Sequence, residues 1–187
     1  MRSAIFFERD GVLNLAAVSH GQQTAPRTLE EFKVNPEALA PLTELKKAGF
    51  VLIATTNQPG ISRGYISRRE LDLMHLVLKR QLPLDDLLMC PHDEMDRCPC
   101  RKPNVGLFQE AAFKYNLDLD HSFVVSDKWQ DAQAAHNLGS VSLMLRSPWN
   151  GRGHYDYVLP DLASIVPRIL QLHANPLVLR ESENVKE

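Results

Sequence analysis

The stretch FFERDGVLN, residues 6–14, places two acidic side chains one residue apart at the end of a hydrophobic run. The apolar residues 4–7 precede Glu8 and Asp10, and Gly11 follows them as a turn residue. This pattern is typical of a buried strand that delivers carboxylates to the carboxyl edge of an open α/β sheet, where such sheets place their active sites. The decisive question is whether Glu8 is a catalytic nucleophile, only a metal ligand, or the sign of a lost activity.

Short apolar runs alternate with amphipathic stretches along the rest of the chain, which predicts an α/β fold. We expect a three-layer, doubly wound, mostly parallel sheet. Strands are predicted at residues 3–8, 50–56, 87–90, 122–127 and 141–145. Helices are predicted at residues 36–48, from Ser67 onward, and at 105–115, 130–138 and 161–173. The segment from 14 to 35 is predicted to be a long polar loop.

Two of the predicted helices have a clear apolar face and a clear start. The predicted core-facing residues are Leu39, Leu42 and Leu45 in one helix and Leu71, Met74 and Leu78 in the next. Ser67 and Glu70 are spaced as a capping box, in which each side chain accepts a hydrogen bond from a free amide of the first turn.

The composition is that of an ordinary soluble globular protein, with 187 residues, 44% of them hydrophobic, and a formal net charge of −2. We expect a single domain over residues 1–174 and a flexible tail over 175–187. The balanced charge argues against nucleic acid or a membrane surface as a partner. No apolar stretch is long enough to span a bilayer, and no secretory signal is evident at the N-terminus. A cytoplasmic monomer is the default expectation.

All three cysteines lie in the loop CPHDEMDRCPCRKP, residues 90–103. Cys90, His92, Cys98 and Cys100 form a C-x-H…C-x-C pattern, which supplies four ligands for a closed, tetrahedral structural zinc site. The alternative is three unrelated buried cysteines, but the loop has no hydrophobic pattern that could hold it otherwise. Such a zinc would have no open position for water, so its role would be to position the residues that follow it.

Polar groups that suit phosphate chemistry follow several predicted strands. Thr56, Asn57 and Gln58 follow the second strand, Lys102 follows the cysteine loop, and Asp127 follows SFVV. Because the ends of parallel strands converge on one edge, these groups can meet Glu8 and Asp10 there. The carboxylates would hold Mg²⁺, which prefers oxygen ligands, while Thr56 and Lys102 would hold a phosphoryl group.

These motifs resemble the haloacid-dehalogenase (HAD) superfamily of phosphohydrolases. The likeness runs in order through ERDGVLN, ATTNQPGISRG, CPH…CPCRKP and VVSDKWQDAQAA, and covers about residues 3–145. The zinc loop narrows it to the branch that contains heptose-bisphosphate phosphatases and histidinol-phosphatase domains. The resemblance implies a HAD-type Rossmannoid fold with no large cap domain, so that the zinc loop and residues 15–35 would form the rim of the site.

The resemblance also implies residue roles. The residue at position 8 would attack phosphorus to form an acyl phosphate, and Asp10 would be the general acid and base. Position 8, Asp10 through its backbone carbonyl, and Asp127 would hold Mg²⁺. Thr56 and Lys102 would steady the phosphoryl group. Candidates for contacts to the rest of the substrate are Asn57, Gln58 and Arg101. Asp131 would either orient Lys102 or act as an acidic residue at a helix start.

The chain departs from the family pattern at Glu8, where the family has a nucleophilic aspartate. The extra methylene moves the carboxylate by up to about 1.5 Å, and an error of about 1 Å can cost on the order of 10²-fold in rate. Glu8 could still act as nucleophile, the protein could bind metal and ligand without turnover, or Glu8 could be a substitution in an otherwise active enzyme. The predicted substrate is a small sugar (bis)phosphate of the heptose-1,7-bisphosphate type, with histidinol phosphate as the alternative.

Overall fold

A computed structural model of the chain describes residues 1–19, 21–151 and 153–175. Its centre is a six-stranded parallel sheet in the order β5-β4-β1-β6-β7-β8. The strands of this sheet are β1 (Arg2–Glu8), β4 (Val51–Asn57), β5 (Asp86–Cys90), β6 (Leu117–Ser126), β7 (Val141–Leu145) and β8 (Tyr157–Leu159). The helices are α1 (Leu39–Lys47), α2 (Arg68–Gln81), α3 (Gly106–Tyr115), α4 (Trp129–Leu138) and α5 (Leu162–Ala174). The predicted α/β class and parallel sheet are confirmed.

Side-chain alternation along the central strand divides the core into two layers. Ile5 and Phe7 point to the side covered by α1, α2 and α5, whereas Ala4 and Phe6 point to the side covered by α3 and α4. The central strands are buried on both faces, which is why they read as continuous hydrophobic runs in the sequence.

The helix faces follow the predicted pattern with one error. Leu42 and Leu45 are fully buried, but Leu39 is 50% exposed. Three residues advance the chain by about 300° around a helix, so Leu39 lies about 120° away from Leu45. Leu71, Met74 and Leu78 are all buried, as predicted.

The start of α2 corrects the predicted capping box. The Ser67 hydroxyl accepts a hydrogen bond from the Glu70 amide, at 3.1 Å. The Glu70 carboxylate instead accepts one from the backbone amide of Leu29, at 2.5 Å. Glu70 therefore fastens the segment after β1 to α2.

Part of the segment predicted as a polar loop contains a small antiparallel hairpin of β2 (Ala17–Ser19) and β3 (Gln22–Thr24). Strand β8 was also missed, because its three residues are too few for an alternation pattern to show. Of the predicted flexible tail, residues 176–187 lie outside the described residues. Among the described residues, no helix is long and apolar enough to cross a membrane.

Candidate active site

The carboxyl ends of β1, β4 and β6 bring the predicted site residues to one edge of the sheet. Glu8 ends β1, and Thr56 lies beside it near the end of β4, so that the Thr56 hydroxyl donates to Glu8 Oε1 at 3.3 Å and to Asp10 Oδ2 at 3.5 Å. Asp127 immediately follows β6. Lys102 reaches the same place from the loop after β5 and binds Glu8 Oε2. All five of these side chains are buried.

The Glu8 carboxylate is surrounded by hydrogen-bond donors. Its Oε1 accepts from the backbone amide of Asp10 at 3.1 Å as well as from Thr56, and its Oε2 accepts from the Lys102 ammonium. Burial alone would raise the pKa of Glu8, but the charges of Lys102 and Lys128 outweigh burial, and the pKa lies below its usual value. Glu8 is therefore an ionised carboxylate in contact with the very groups that would bind phosphoryl oxygens.

The two oxygens of Asp10 have different surroundings. Oδ1 accepts from the Arg9 guanidinium at 2.6 Å and from Asn14 at 3.1 Å. Oδ2 faces the site and accepts from Gln58 at 2.6 Å. Burial would raise the pKa of Asp10, but the nearby charges of Arg9 and Lys128 lower it. The carboxyl is thus held in one orientation, with one oxygen directed at the reacting edge.

Lys102 is held from both its backbone and its ammonium group. Its backbone amide donates to Asn57 Oδ1 and its carbonyl accepts from Asn57 Nδ2, both at 3.0 Å. Its ammonium donates to Asp131 Oδ1 at 2.6 Å in addition to Glu8. Burial would lower the pKa of Lys102, but the charges of Asp131 and Glu8 raise it. Asp131 also lies in the first turn of α4. It therefore occupies the helix-start position and contacts Lys102, so the two alternatives predicted for it do not exclude each other.

Three oxygens surround the ammonium group of Lys128, a residue that the sequence reasoning missed. It donates to the backbone carbonyl of Asp10 and to Asp127 Oδ1 at 3.1 Å, and it lies 3.9 Å from Glu8 Oε1. These are the oxygens that the resemblance assigns to magnesium. A cation already fits among them, and hard oxygen donors are the ligands that Mg²⁺ prefers. The residues present therefore suit a divalent ion.

The β2–β3 hairpin covers part of this edge. Gln23 of β3 donates to Asp127 Oδ2 at 2.9 Å, and this hydrogen bond restrains the carboxylate. Gly11 lets the hairpin approach closely, because a Cβ there would clash with the Gln23 side-chain amide and would lie 2.6 Å from Asp127 Oδ2. Nothing in the polar sequence of residues 14–35 indicated this contact.

Arg9, a second missed residue, and Lys128 both have recognisable sequence signals. Arg9 lies between the two acids in the sequence and is fully buried, with its guanidinium paired with Asp10 and 3.0 Å from His75 Nε2. A buried arginine requires an acidic partner, and Asp10 is adjacent. Lys128 directly follows an acid at a strand end, and this position alone suggests proximity to the site.

The four predicted zinc ligands form one cluster. The ligand atoms of Cys90, His92, Cys98 and Cys100 all lie within 4.8 Å of one another, and could hold a metal ion. The Sγ atoms of Cys90 and Cys98 are 3.5 Å apart, and His92 Nδ1 is 3.2 Å from Cys100 Sγ. Ligand atoms about 2.3 Å from a tetrahedral centre would be separated by about 3.8 Å. The two contacts above are a few tenths of an ångström shorter than this spacing, so a small opening of the cluster would accommodate the ion.

Arg101 does not belong to the buried network of Glu8, Asp10, Thr56 and Lys102. Its guanidinium donates to the His92 carbonyl and to Glu94, at 3.3 and 3.1 Å. It lines a cavity of about 340 Å³ that also includes Lys102 and Trp129. Arg101 and Lys102 thus line the same cavity, and a contact of Arg101 with substrate stays a prediction.

Comparisons with known proteins agree with this fold and site. A family model described as HAD-hydrolase-like matches residues 99–165. The chain is 33% identical to the D-glycero-β-D-manno-heptose-1,7-bisphosphate 7-phosphatase of Haemophilus influenzae, over 91% of this chain and 98% of the relative. It is 30% identical to the Haemophilus ducreyi protein of the same name, over 90% and 98% of the two chains.

A solved structure of a phosphatase with the same kind of name has the same fold. The D,D-heptose 1,7-bisphosphate phosphatase of B. bronchiseptica, crystallised with magnesium and phosphate, superposes with a TM-score of 0.77 and 28% identity. The match covers 90% of this chain and 98% of that one. Fold and site thus define a HAD-type hydrolase core. The chain belongs to the HAD superfamily, in the family of the heptose-1,7-bisphosphate 7-phosphatases.

Proposed function

We propose that this protein is a Mg²⁺-dependent phosphomonoester hydrolase that acts on a sugar bisphosphate of the heptose-1,7-bisphosphate type. The observation that carries the proposal is the single buried network of Glu8, Asp10, Thr56 and Lys102 at the sheet edge. Its relatives carry the name of this activity, which favours the heptose substrate over histidinol phosphate.

The proposed reaction has two steps. A carboxylate oxygen of Glu8 attacks phosphorus, the ester P–O bond breaks, and Asp10 gives its proton to the leaving sugar oxygen. Asp10 then takes a proton from water, the resulting hydroxide attacks the acyl phosphate, and Glu8 and inorganic phosphate are released. Thr56 and Lys102 stabilise the transferring group, whose negative charge spreads over its equatorial oxygens.

Asp10 must be protonated for the first step although its pKa is lowered in the protein alone. A bound phosphate ester brings negative charge close to Asp10 Oδ2, and a nearby like charge raises the pKa of a carboxyl group. Substrate binding therefore favours the protonated form that the first step requires. Gln58, which donates to the same oxygen, keeps it directed at the leaving group.

Mg²⁺ would be held by Glu8, the Asp10 carbonyl and Asp127, and would neutralise the phosphoryl oxygens when bound. The side chains at this edge comprise four carboxylates and three cations, so a divalent ion would offset a negative charge that otherwise repels a phosphate dianion. Zn²⁺ in the Cys90–Cys100 cluster would hold the loop that carries Lys102. A cytoplasmic location and a monomeric state complete the proposal.

The contacts of Glu8 also favour a second candidate function, a protein that binds a phosphorylated ligand with little turnover. The carboxylate accepts from the Asp10 amide, Thr56 and Lys102, so it competes with the phosphoryl oxygens for their donors. An aspartate at position 8, one methylene shorter, would withdraw from these donors while remaining a nucleophile.

The variant Glu8→Asp tests the two candidates. We expect the parent to release phosphate slowly from heptose 1,7-bisphosphate with Mg²⁺, and Glu8→Asp to raise kcat by up to about 10²-fold. Inorganic phosphate should also inhibit Glu8→Asp more strongly, because the Asp10 amide, Thr56 and Lys102 no longer donate to the side chain at position 8 and are free to bind phosphate. Phosphate release is measured for parent, Glu8→Asp and Glu8→Gln, with histidinol phosphate as the comparison substrate.

Glu8→Gln is the matched control, since it keeps the length of the side chain and removes the nucleophilic charge; it should be inactive. If Glu8→Asp is as inert as Glu8→Gln on both substrates, the hydrolase proposal is wrong. Thermal stabilisation by the sugar bisphosphate without turnover would then support the binding function.

A further inference from the structure

The ammonium group of Lys128 is the feature at this edge that the proposed reaction does not use. It donates to the Asp10 carbonyl and to Asp127 Oδ1, and Glu8 Oε1 is its third oxygen neighbour at 3.9 Å. The three oxygens come from two different strand ends, β1 and β6. Lys128 thus links the two strand ends across the reacting edge.

These oxygens are the ones that the proposed magnesium site would use. Mg²⁺ binds oxygen at about 2.0–2.1 Å, whereas an ammonium group donates to oxygen at about 2.7–2.9 Å. Two cations cannot occupy the centre of the same three oxygens, both for lack of space and because of their mutual repulsion. Binding of the ion therefore requires the ammonium group to leave.

We propose that Lys128 is an internal cation that competes with the divalent ion for the oxygens of Glu8, Asp10 and Asp127. The inference rests on the proposed magnesium site but not on turnover. Lys128 is a positioning residue: in place of the ion it holds the carboxylates near their binding arrangement, and it sets the concentration of ion that the site requires.

The position of Lys128 allows both states. It directly precedes α4, and its side chain is 27% exposed, so the flexible stem has a route to solvent. Lys102, by contrast, has a side chain that is 1% exposed and is paired with both Glu8 and Asp131. Of these two lysines, Lys128 is the one that can withdraw.

The variant Lys128→Met tests the proposal, because methionine keeps the apolar stem and cannot donate a hydrogen bond. If the ammonium group fills the site nine-tenths of the time, the apparent affinity for the ion is reduced about tenfold, and the variant recovers this factor. Mn²⁺ binding is measured by electron paramagnetic resonance, with the zinc loop loaded and no phosphate ester present. The control is Lys47→Met, an exposed lysine of α1 with the same loss of charge.

Thermal unfolding without added divalent ion supplies the second readout. Lys128→Met should melt about 2–4 °C below the parent, because the carboxylates lose a counter-ion, and saturating Mn²⁺ should stabilise the variant more than the parent. Lys47→Met should match the parent in both measurements.

The inference is overturned if Lys128→Met binds Mn²⁺ with the affinity of the parent or more weakly. If Lys128→Met gains no affinity for Mn²⁺ while the parent hydrolyses phosphate esters with Mg²⁺, this inference is wrong and the proposed function stands. If neither protein binds Mn²⁺, the inference fails together with the proposed magnesium site. An inert parent whose Lys128→Met variant binds Mn²⁺ about tenfold more tightly supports the inference and not the turnover.

Discussion

At the scale of single residues, the orientation of Asp10 depends on a buried arginine and a buried histidine. Arg9 is fully buried, donates twice to Asp10 Oδ1, and lies over the Phe32 ring. Its remaining nitrogen contacts His75 Nε2 at 3.0 Å. Because the guanidinium is always protonated, Nε2 must accept, which leaves the imidazole neutral. Burial and the charge of Arg9 lower the pKa of His75 to about 3.

This histidine predicts a loss of stability below neutral pH. The unfolded chain binds a proton at His75 near its ordinary pKa of about 6.5, whereas the folded protein does not until about pH 3. Stability therefore falls as the pH drops below about 6.5, by on the order of 2 kcal/mol between pH 7 and pH 5. His75→Gln, whose amide oxygen can still accept from Arg9, should reduce that loss by about this amount.

The free energy of unfolding in urea is compared at pH 7 and pH 5. His136→Gln is the control, since that histidine is exposed at the end of α4. Any effect of pH on the Cys/His cluster is the same in all three proteins and cancels in the comparison. Equal losses in the parent and His75→Gln would contradict the role given to His75.

At the scale of elements, the loop after β5 acts as an arm that presents Lys102. The Cys/His cluster closes the loop, Asn57 joins it to the end of β4, and Gly106 lets α3 pack against it. A Cβ at Gly106 would lie 2.6 Å from the Pro99 carbonyl oxygen. The segment between the predicted ligands has little apolar burial to hold it, so a bound metal would add to these contacts in keeping it ordered.

We expect Cys98→Ser to lose bound zinc and to lower kcat/KM by at least about tenfold, as for other changes that disturb a supporting metal shell. Far-UV circular dichroism should remain that of the parent, because the sheet core is separate from the loop. Zinc content is measured by elemental analysis. Met95→Ala, in the same loop and 85% exposed in the parent, should retain both zinc and activity. Full activity in zinc-free Cys98→Ser would disprove the role of the cluster.

The sequence predicted the elements with strong periodicity and missed those fixed by tertiary contacts. The central strands are buried on both faces, so their hydrophobic runs were visible without further information. The residues of the Cys/His cluster and the acids at strand ends were visible because their chemistry is unusual at those spacings. The β2–β3 hairpin and the contact of Gln23 with Asp127 depend on how distant segments meet, and no local pattern encodes that.

At the scale of the whole molecule, Asp86 connects both helical layers to the edge strand β5. It accepts from Lys79 of α2 at 3.1 Å, and from Lys114 and Tyr115 of α3 at 2.8 and 3.0 Å. Burial would raise the pKa of Asp86, but these donors and the Leu87 amide lower it to about 2. The carboxylate stabilises the fold while it is ionised.

Asp86→Asn should lower the free energy of unfolding at pH 7 by about 2 kcal/mol, since it removes hydrogen bonds to a charged group. The difference from the parent should persist above about pH 4 and shrink as the pH falls from about 4 towards about 2, where the parent is protonated as well. Asp72→Asn, which breaks an exposed pair with Arg68, should cost less than about 0.5 kcal/mol. Equal costs for the two variants would show that Asp86 does not join the layers.

The parallel order of the sheet places the turns at Gly49, Leu82–Asp85 and Asn116 on the side opposite the reacting groups. Each of these turns leads into the first residues of a strand, while Glu8, Thr56 and Asp127 lie at or just beyond the last ones. A bead, an electrode or a fused carrier attached at those turns would leave the chemistry facing the surrounding liquid.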